Sequence, residues 1–76
     1  MHLDNPMKQM IHIKVNNTLH LYKPNTTLDE IIVELGISNK GIAVAVNEHI
    51  ISKTEWHIKT LHENDEVLVI RATQGG

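Results

Sequence analysis

Cysteine does not occur in this chain of 76 residues, and neither does phenylalanine. Without cysteine there is no disulfide to staple a small core, no thiolate nucleophile and no cysteine-type zinc site. The usual side-chain carrier of sulfur is missing as well. Tyr22 and Trp56 are the only aromatic residues, so a core must be built from Ile, Val and Leu. Their β-branched members pack well on a pleated surface, which favours a sheet. Charge of one sign is also scarce: 7 basic residues face 9 acidic ones for a net of −2. That balance excludes the basic stripe by which a domain holds nucleic acid. No apolar run approaches the roughly 20 residues that cross a bilayer as a helix, and the amino end shows no apolar signal segment. The expectation is a soluble, cytoplasmic protein without nucleic-acid or membrane partners.

What remains is enough for one domain near the lower size limit for independent folding, since a chain this short buries only about 60% of its unfolded surface. The opening "MHLDNPMKQ" follows neither the helical nor the strand period, and reads as a disordered extension or a remnant of expression, residues 1–9. From Met10 onward "MIHIKV" alternates, with Ile11, Ile13 and Val15 on one face. "NNT" supplies turn chemistry, because Asn tolerates left-handed backbone angles. "LHLY" then alternates again. A loop over 16–18 would set Val15 against Leu19 and Ile13 against Leu21, with both leucines inward. Lys23-Pro24 ends that strand, since proline cannot donate to a ladder.

"TLDEIIVELG" carries the strongest local signal. Thr27 and Glu30 stand at the spacing of a capping box. Leu28, Ile31, Ile32 and Leu35 form one helical stripe, and Gly36 sits where a left-handed C-cap belongs. "GIAVAVN" reads as a strand apolar on both faces, followed by a tight connection at Asn47-Glu48 and a short strand, "HII". Ser52 and Glu55 offer a second capping box, opening a helical turn that carries Trp56 as a core anchor. "HEND" is a polar turn, and "EVLVIRA" is a last strand, again apolar on both faces.

The order is thus β-β-α-β-β-β. One helix covers one face of a mixed sheet of about five strands, and the first and last strands run parallel in its centre. Parallel pairing demands a long crossover, and the main helix lies within it. The predicted fold class is α+β, a β-grasp or ubiquitin-like domain over 10–72, with a flexible tail over 73–76.

That tail is the candidate for chemistry. After the last strand come Thr73, Gln74, Gly75 and Gly76. A Gly-Gly end also describes a frayed terminus. Its position tips the balance, because it directly follows a strand expected in the middle of the sheet. Glycine has no Cβ, so such an end can thread a channel too narrow for side chains. A carboxylate is a poor electrophile until it is adenylated; then an amine would yield an amide, and a sulfur donor a thiocarboxylate. The second route needs no cysteine in the carrier.

From Met10 to Gly76 the chain resembles the ThiS family, the ubiquitin-like sulfur carriers of thiamin biosynthesis. The stretches that carry the resemblance are "AVAVN" with "HIISKTEW", then "LHENDEVLVI" and the closing "QGG", Trp56 and the terminal glycines above all. "HENDEV" departs from the Asp-Gly-Asp turn frequent in that family, although Asn64 can take the same left-handed angle. The resemblance implies a carrier rather than an enzyme, with no cofactor of its own. A ThiF-like adenylating enzyme would activate the Gly76 carboxylate with ATP, and sulfur would come from cysteine through a desulfurase. A ThiG-like thiazole synthase would then take the sulfur. Two other readings share the fold and the tail: a sulfur carrier of the molybdopterin-synthase small-subunit type, and a ubiquitin-like covalent modifier. A plain interaction module with incidental glycines is a third.

Two further features were weighed. His12 and His20 are expected side by side across the first hairpin, pointing away from the apolar face. They have no carboxylate at ligand spacing, so no metal site is expected. If Val67 and Val69 face the helix, Leu68 and Ile70 point the other way and form, with Arg71, a docking surface for partners beside the tail. The alternative is that the Trp56 segment buries them.

Overall fold

The structure, a computed structural model, describes residues 10–71. The 1–9 extension and the tail positions Thr73, Gln74, Gly75 and Gly76 lie outside the described residues. Five strands occur in chain order: β1 (Ile11–Val15), β2 (Thr18–Tyr22), β3 (Ile42–Val46), β4 (His49–Ile51) and β5 (Glu66–Arg71). One helix, α1 (Leu28–Glu34), follows β2, and a 3-10 turn spans Lys53–Glu55. The strands form one sheet in the order β2-β1-β5-β3-β4. β1 and β5 pair in parallel, whereas β1 with β2, β3 with β4 and β3 with β5 pair antiparallel. The first and last strands therefore meet in the middle, and the sheet clasps the helix on one face, as the β-grasp expectation has it.

Helix α1 is short, and both its ends are chemically closed. Glu30 N–H donates to Thr27 Oγ1 at 3.3 Å while Thr27 N–H donates to Glu30 Oε1 at 2.9 Å, completing the capping box. The two preceding orphan donors of the first turn find backbone partners instead. Leu28 N–H reaches Lys59 O at 2.8 Å and Asp29 N–H reaches Trp56 O at 3.1 Å. At the other end Gly36 takes φ +71°, a left-handed angle costly for a residue with a Cβ. Ile37 N–H then reaches back to Ile32 O and Gly36 N–H to Val33 O, a Schellman closure. A helix of 7 residues would not persist in water by itself. It survives because Leu28, Ile31 and Ile32 are buried against the sheet.

The core joins these residues to Ile13, Val15, Val44, Val46, Val67, Trp56 and Leu61. Trp56 is 3% exposed, and its indole N–H donates to Ile51 O at 3.0 Å. A buried polar tip with a partner is what makes a tryptophan tolerable as an anchor.

Three local expectations are corrected. The β1–β2 turn contains two residues, Asn16 and Asn17, both with positive φ (49° and 69°). Such a turn matches the twist of the flanking strands, and paired asparagines tolerate it. Val15 therefore lies opposite Thr18 and Ile13 opposite His20. This differs by one residue from the longer loop, and a one-residue slip turns every side chain over. Leu19 and Leu21 point away from the helix and are exposed. His20 and Tyr22 take the inner face instead, their rings stacked at 6.0 Å. His12 and His20 consequently occupy opposite faces rather than approaching each other.

The third correction concerns Ser52. Its hydroxyl caps nothing and meets Thr54 Oγ1 at 3.3 Å. In the tight turn Glu55 N–H, the donor a capping box would offer to the hydroxyl, is taken by Ser52 O at 2.8 Å.

Candidate functional site at the outgoing end of the last strand

Strand β5 is the last described element, and its neighbours decide where Arg71, its final residue, lies. On one side it pairs with β3 from Val67 opposite Val46 to Arg71 opposite Ile42. On the other it pairs with β1, where Lys14 N–H donates to Asp65 O at 3.1 Å and Asn16 N–H to Val67 O at 2.9 Å. Val67 is buried and Val69 packs against the core, as alternation predicts.

Leu68 and Ile70 face the other way and are 51% and 42% exposed. The Trp56 segment does not cover them, because Trp56 is packed into the core beneath the helix. Across β3 their neighbours are Ala45 and Ala43, whose small side chains leave the two larger ones standing proud. Ile50 of β4, opposite Ala45, adds an exposed apolar surface at 65%. Beside Leu68 lies a shallow groove of about 240 Å³ bordered by Lys14, Asn16, Glu48 and Glu66, mixed in charge. Arg71 is exposed too, but alternation puts it on the face of Val69 rather than that of Leu68 and Ile70. The structure thus brings Leu68 and Ile70 together and sets Arg71 apart from them.

Sequence reasoning overlooked two residues here. Asn47, φ 50°, accepts from Glu66 N–H on Oδ1 at 3.0 Å and donates from Nδ2 to Asp65 Oδ1 at 2.8 Å. Asn16, φ 49°, accepts from Val69 N–H at 2.8 Å. Both looked like ordinary turn residues. The signal was their type: an amide side chain at a left-handed turn position can reach the neighbouring strand's backbone.

The loop that leads into β5 is tied to β1 through Glu63. Glu63 accepts from His12 N–H at 2.8 Å and meets the same residue's Nδ1 at 2.8 Å. The backbone donor, and secondarily the imidazole, hold the Glu63 carboxyl below the ordinary glutamate range. Tyr22, buried beside α1, donates from its hydroxyl to Glu34 Oε1 at 3.3 Å. Burial first, then the Glu34 charge and bond, push its phenol up to about 12. Among the described residues no group of three His, Cys, Asp or Glu side chains is placed to hold a metal ion, and no helix is long and apolar enough to cross a membrane.

Comparison with known proteins agrees with this geometry. The ThiS family model matches residues 9–76. The sulfur carrier protein ThiS of Thermus thermophilus is 38% identical over 50 residues, spanning 66% of this chain and 78% of that protein. Among solved structures, the thiamine biosynthesis protein ThiS of Geobacter metallireducens superimposes with a TM-score of 0.75 over 87% of this chain and 100% of its own, at 16% identity. At that identity the superposition speaks for the fold, a ubiquitin-like β-grasp. The family match reaches across the strands, the helix and the glycine tail alike, and the chain belongs to the ThiS family of sulfur carriers.

Proposed function

We propose that this chain carries sulfur on its own C-terminus as a co-substrate in thiamin biosynthesis and is not itself an enzyme. A ThiF-like enzyme transfers AMP from ATP to the Gly76 carboxylate and releases pyrophosphate. A persulfide bearing the sulfur that a desulfurase takes from cysteine attacks the activated carbonyl and expels AMP, giving an acyl disulfide. A thiol then cleaves the S–S bond, leaving the thiocarboxylate and itself ending in a disulfide. A ThiG-like thiazole synthase then receives the sulfur, and the carboxylate form is recharged in the cytoplasm. ATP belongs to the activating enzyme; the carrier needs no cofactor. Thr73, Gln74 and Gly75 thread the partner's channel, where side chains are tolerated less and less towards the end.

The observation that carries this reading is the place of β5. A strand paired on both sides gives a tail a fixed point of departure, and the exposed Leu68 and Ile70 stand close to that point. Such a patch beside a reactive end suits a partner that must first dock and then reach.

Intact-mass measurement tests it. Incubation with ATP, the adenylating enzyme and a sulfur source should raise the mass by the difference between sulfur and oxygen. A chain bearing one extra residue after Gly76 should stay unchanged. Mass appearing instead as isopeptide-linked conjugates would replace the carrier reading with that of a modifier. Rescue of a deletion strain by the thiazole precursor points to thiamin, and failure of that rescue would move the carrier to the molybdopterin pathway.

A further inference from the structure

β5 is held unevenly on its two sides. Towards β3 its ladder continues to Arg71 opposite Ile42. Towards β1 the paired register ends at Val15 opposite Val67, because the chain turns away at Asn16-Asn17. The Asn16 side chain takes over from there. Its Oδ1 accepts from Val69 N–H at 2.8 Å, and its Nδ2 lies 3.5 Å from Val69 O. The first bond is well within range and the second is at its limit. A carboxamide so placed imitates one more residue of β1. Among the described residues it is the last tether on that side of β5 before Arg71.

We propose that Asn16 is a positioning residue for the tail: β3 pairs with β5 as far as Arg71, and the Asn16 carboxamide holds the β1 side of the strand at Val69, so that the two sides together set the direction in which the chain leaves Arg71. The proposal rests on the reading that Gly76 enters an adenylating enzyme. With the β1 side open at Val69 the end of β5 is held by β3 alone, its direction varies more, and the partner must select the productive one from a broader ensemble. Binding weakens, while the nucleotide chemistry at Gly76 proceeds unaltered once the tail is seated. A loss of binding alone shows in KM and spares kcat.

Asn16→Gly separates clamp from turn. Glycine accepts φ 49° without strain, so the turn survives and only the carboxamide is lost. The full chain and its Asn16→Gly, Asn16→Asp and Asn17→Gly variants are compared in two measurements. One is amide exchange at Val69 by NMR, referenced to Leu68, which pairs with Ala45 of β3. The other is the KM and kcat of carrier-dependent ATP–pyrophosphate exchange by the adenylating enzyme. Asn16→Gly should speed Val69 exchange about tenfold, the effect of one hydrogen bond of ordinary strength. It should raise KM for the carrier about threefold with kcat unchanged, through the added cost of ordering the strand on binding. Asn16→Asp retains an oxygen for Val69 N–H and should recover protection and KM; Asn17→Gly should alter neither.

Unchanged Val69 exchange in Asn16→Gly overturns the clamp. Faster exchange with an unchanged KM overturns the positioning role, as does an equal KM rise from Asn17→Gly, which would assign the effect to the turn. A wild-type chain that supports no pyrophosphate exchange, while Val69 responds as expected, locates the failure in the Gly76 reading, and the positioning role falls with it.

Discussion

Asn47 and Asn16 hold β5 at its two ends and from its two sides by the same device. Asn47, in the β3–β4 turn, accepts from Glu66 N–H where β5 begins; Asn16, in the β1–β2 turn, accepts from Val69 N–H near where it leaves. Each lies at a left-handed turn position that glycine could fill conformationally, and each uses a side chain that glycine lacks. Asn47→Gly should therefore preserve the turn yet cost about 1–2 kcal/mol, since Glu66 N–H loses its acceptor. Urea denaturation gives the value.

Trp56 sets the scale for core damage. Trp56→Phe leaves the Ile51 carbonyl without its donor and a smaller ring in the same space, at about 2 kcal/mol. Trp56→Ala should cost about 3–5 kcal/mol, which consumes most of the stability a domain of this size possesses. Circular dichroism melts should show a lowered but cooperative transition for the first and a largely unfolded chain for the second.

Tyr22 makes a pH prediction with a definite sign. Its folded-state pKa is raised from 10.0 to about 12. Protonated Tyr22 thus favours the folded state fully below pH 10, and that contribution is lost as the pH rises towards 12. It is the only tyrosine, so phenolate absorbance reports on it directly. Glu34→Gln removes the neighbouring charge and should bring the midpoint back towards the unfolded value without restoring it, because burial, the largest cause, remains.

Leu68 and Ile70 separate docking from folding. Both are exposed on the outer face, so Leu68→Thr with Ile70→Thr, which retains strand propensity at Ile70, should alter stability by about 0.5 kcal/mol or less. If partners dock there, KM in the adenylation assay should rise about tenfold, the worth of roughly two lost apolar contacts of a methylene or more each. An unchanged KM would free this face of any docking role.

Local chemistry that closes within a few residues could be read directly. The capping box of Thr27 and Glu30, the stripe from Leu28 to Leu35 and the left-handed Gly36 each depend on neighbours along the chain, so sequence determined α1 at both ends. The apolar pattern of β3 and β5 likewise placed them inside the sheet, because only a strand with partners on both edges and cover on a face keeps so many β-branched residues. Side-chain direction on β2 was not legible. Leu19 and Leu21 looked like the inward pair, but a turn of Asn16 and Asn17 alone moved the register by one and gave the inner face to His20 and Tyr22. Ser52 carried the letters of a cap without the geometry.

The sequence by itself determined which segments become strand and helix, because periodicity and caps are properties of neighbouring residues. The tertiary structure alone decided that Glu63 would meet His12, that Asn16 would meet Val69, and that Leu68 and Ile70 would stay uncovered. Those facts depend on groups more than fifty residues apart in the chain, or on what another segment fails to reach. Distances of that kind exist only once the sheet has closed around its helix.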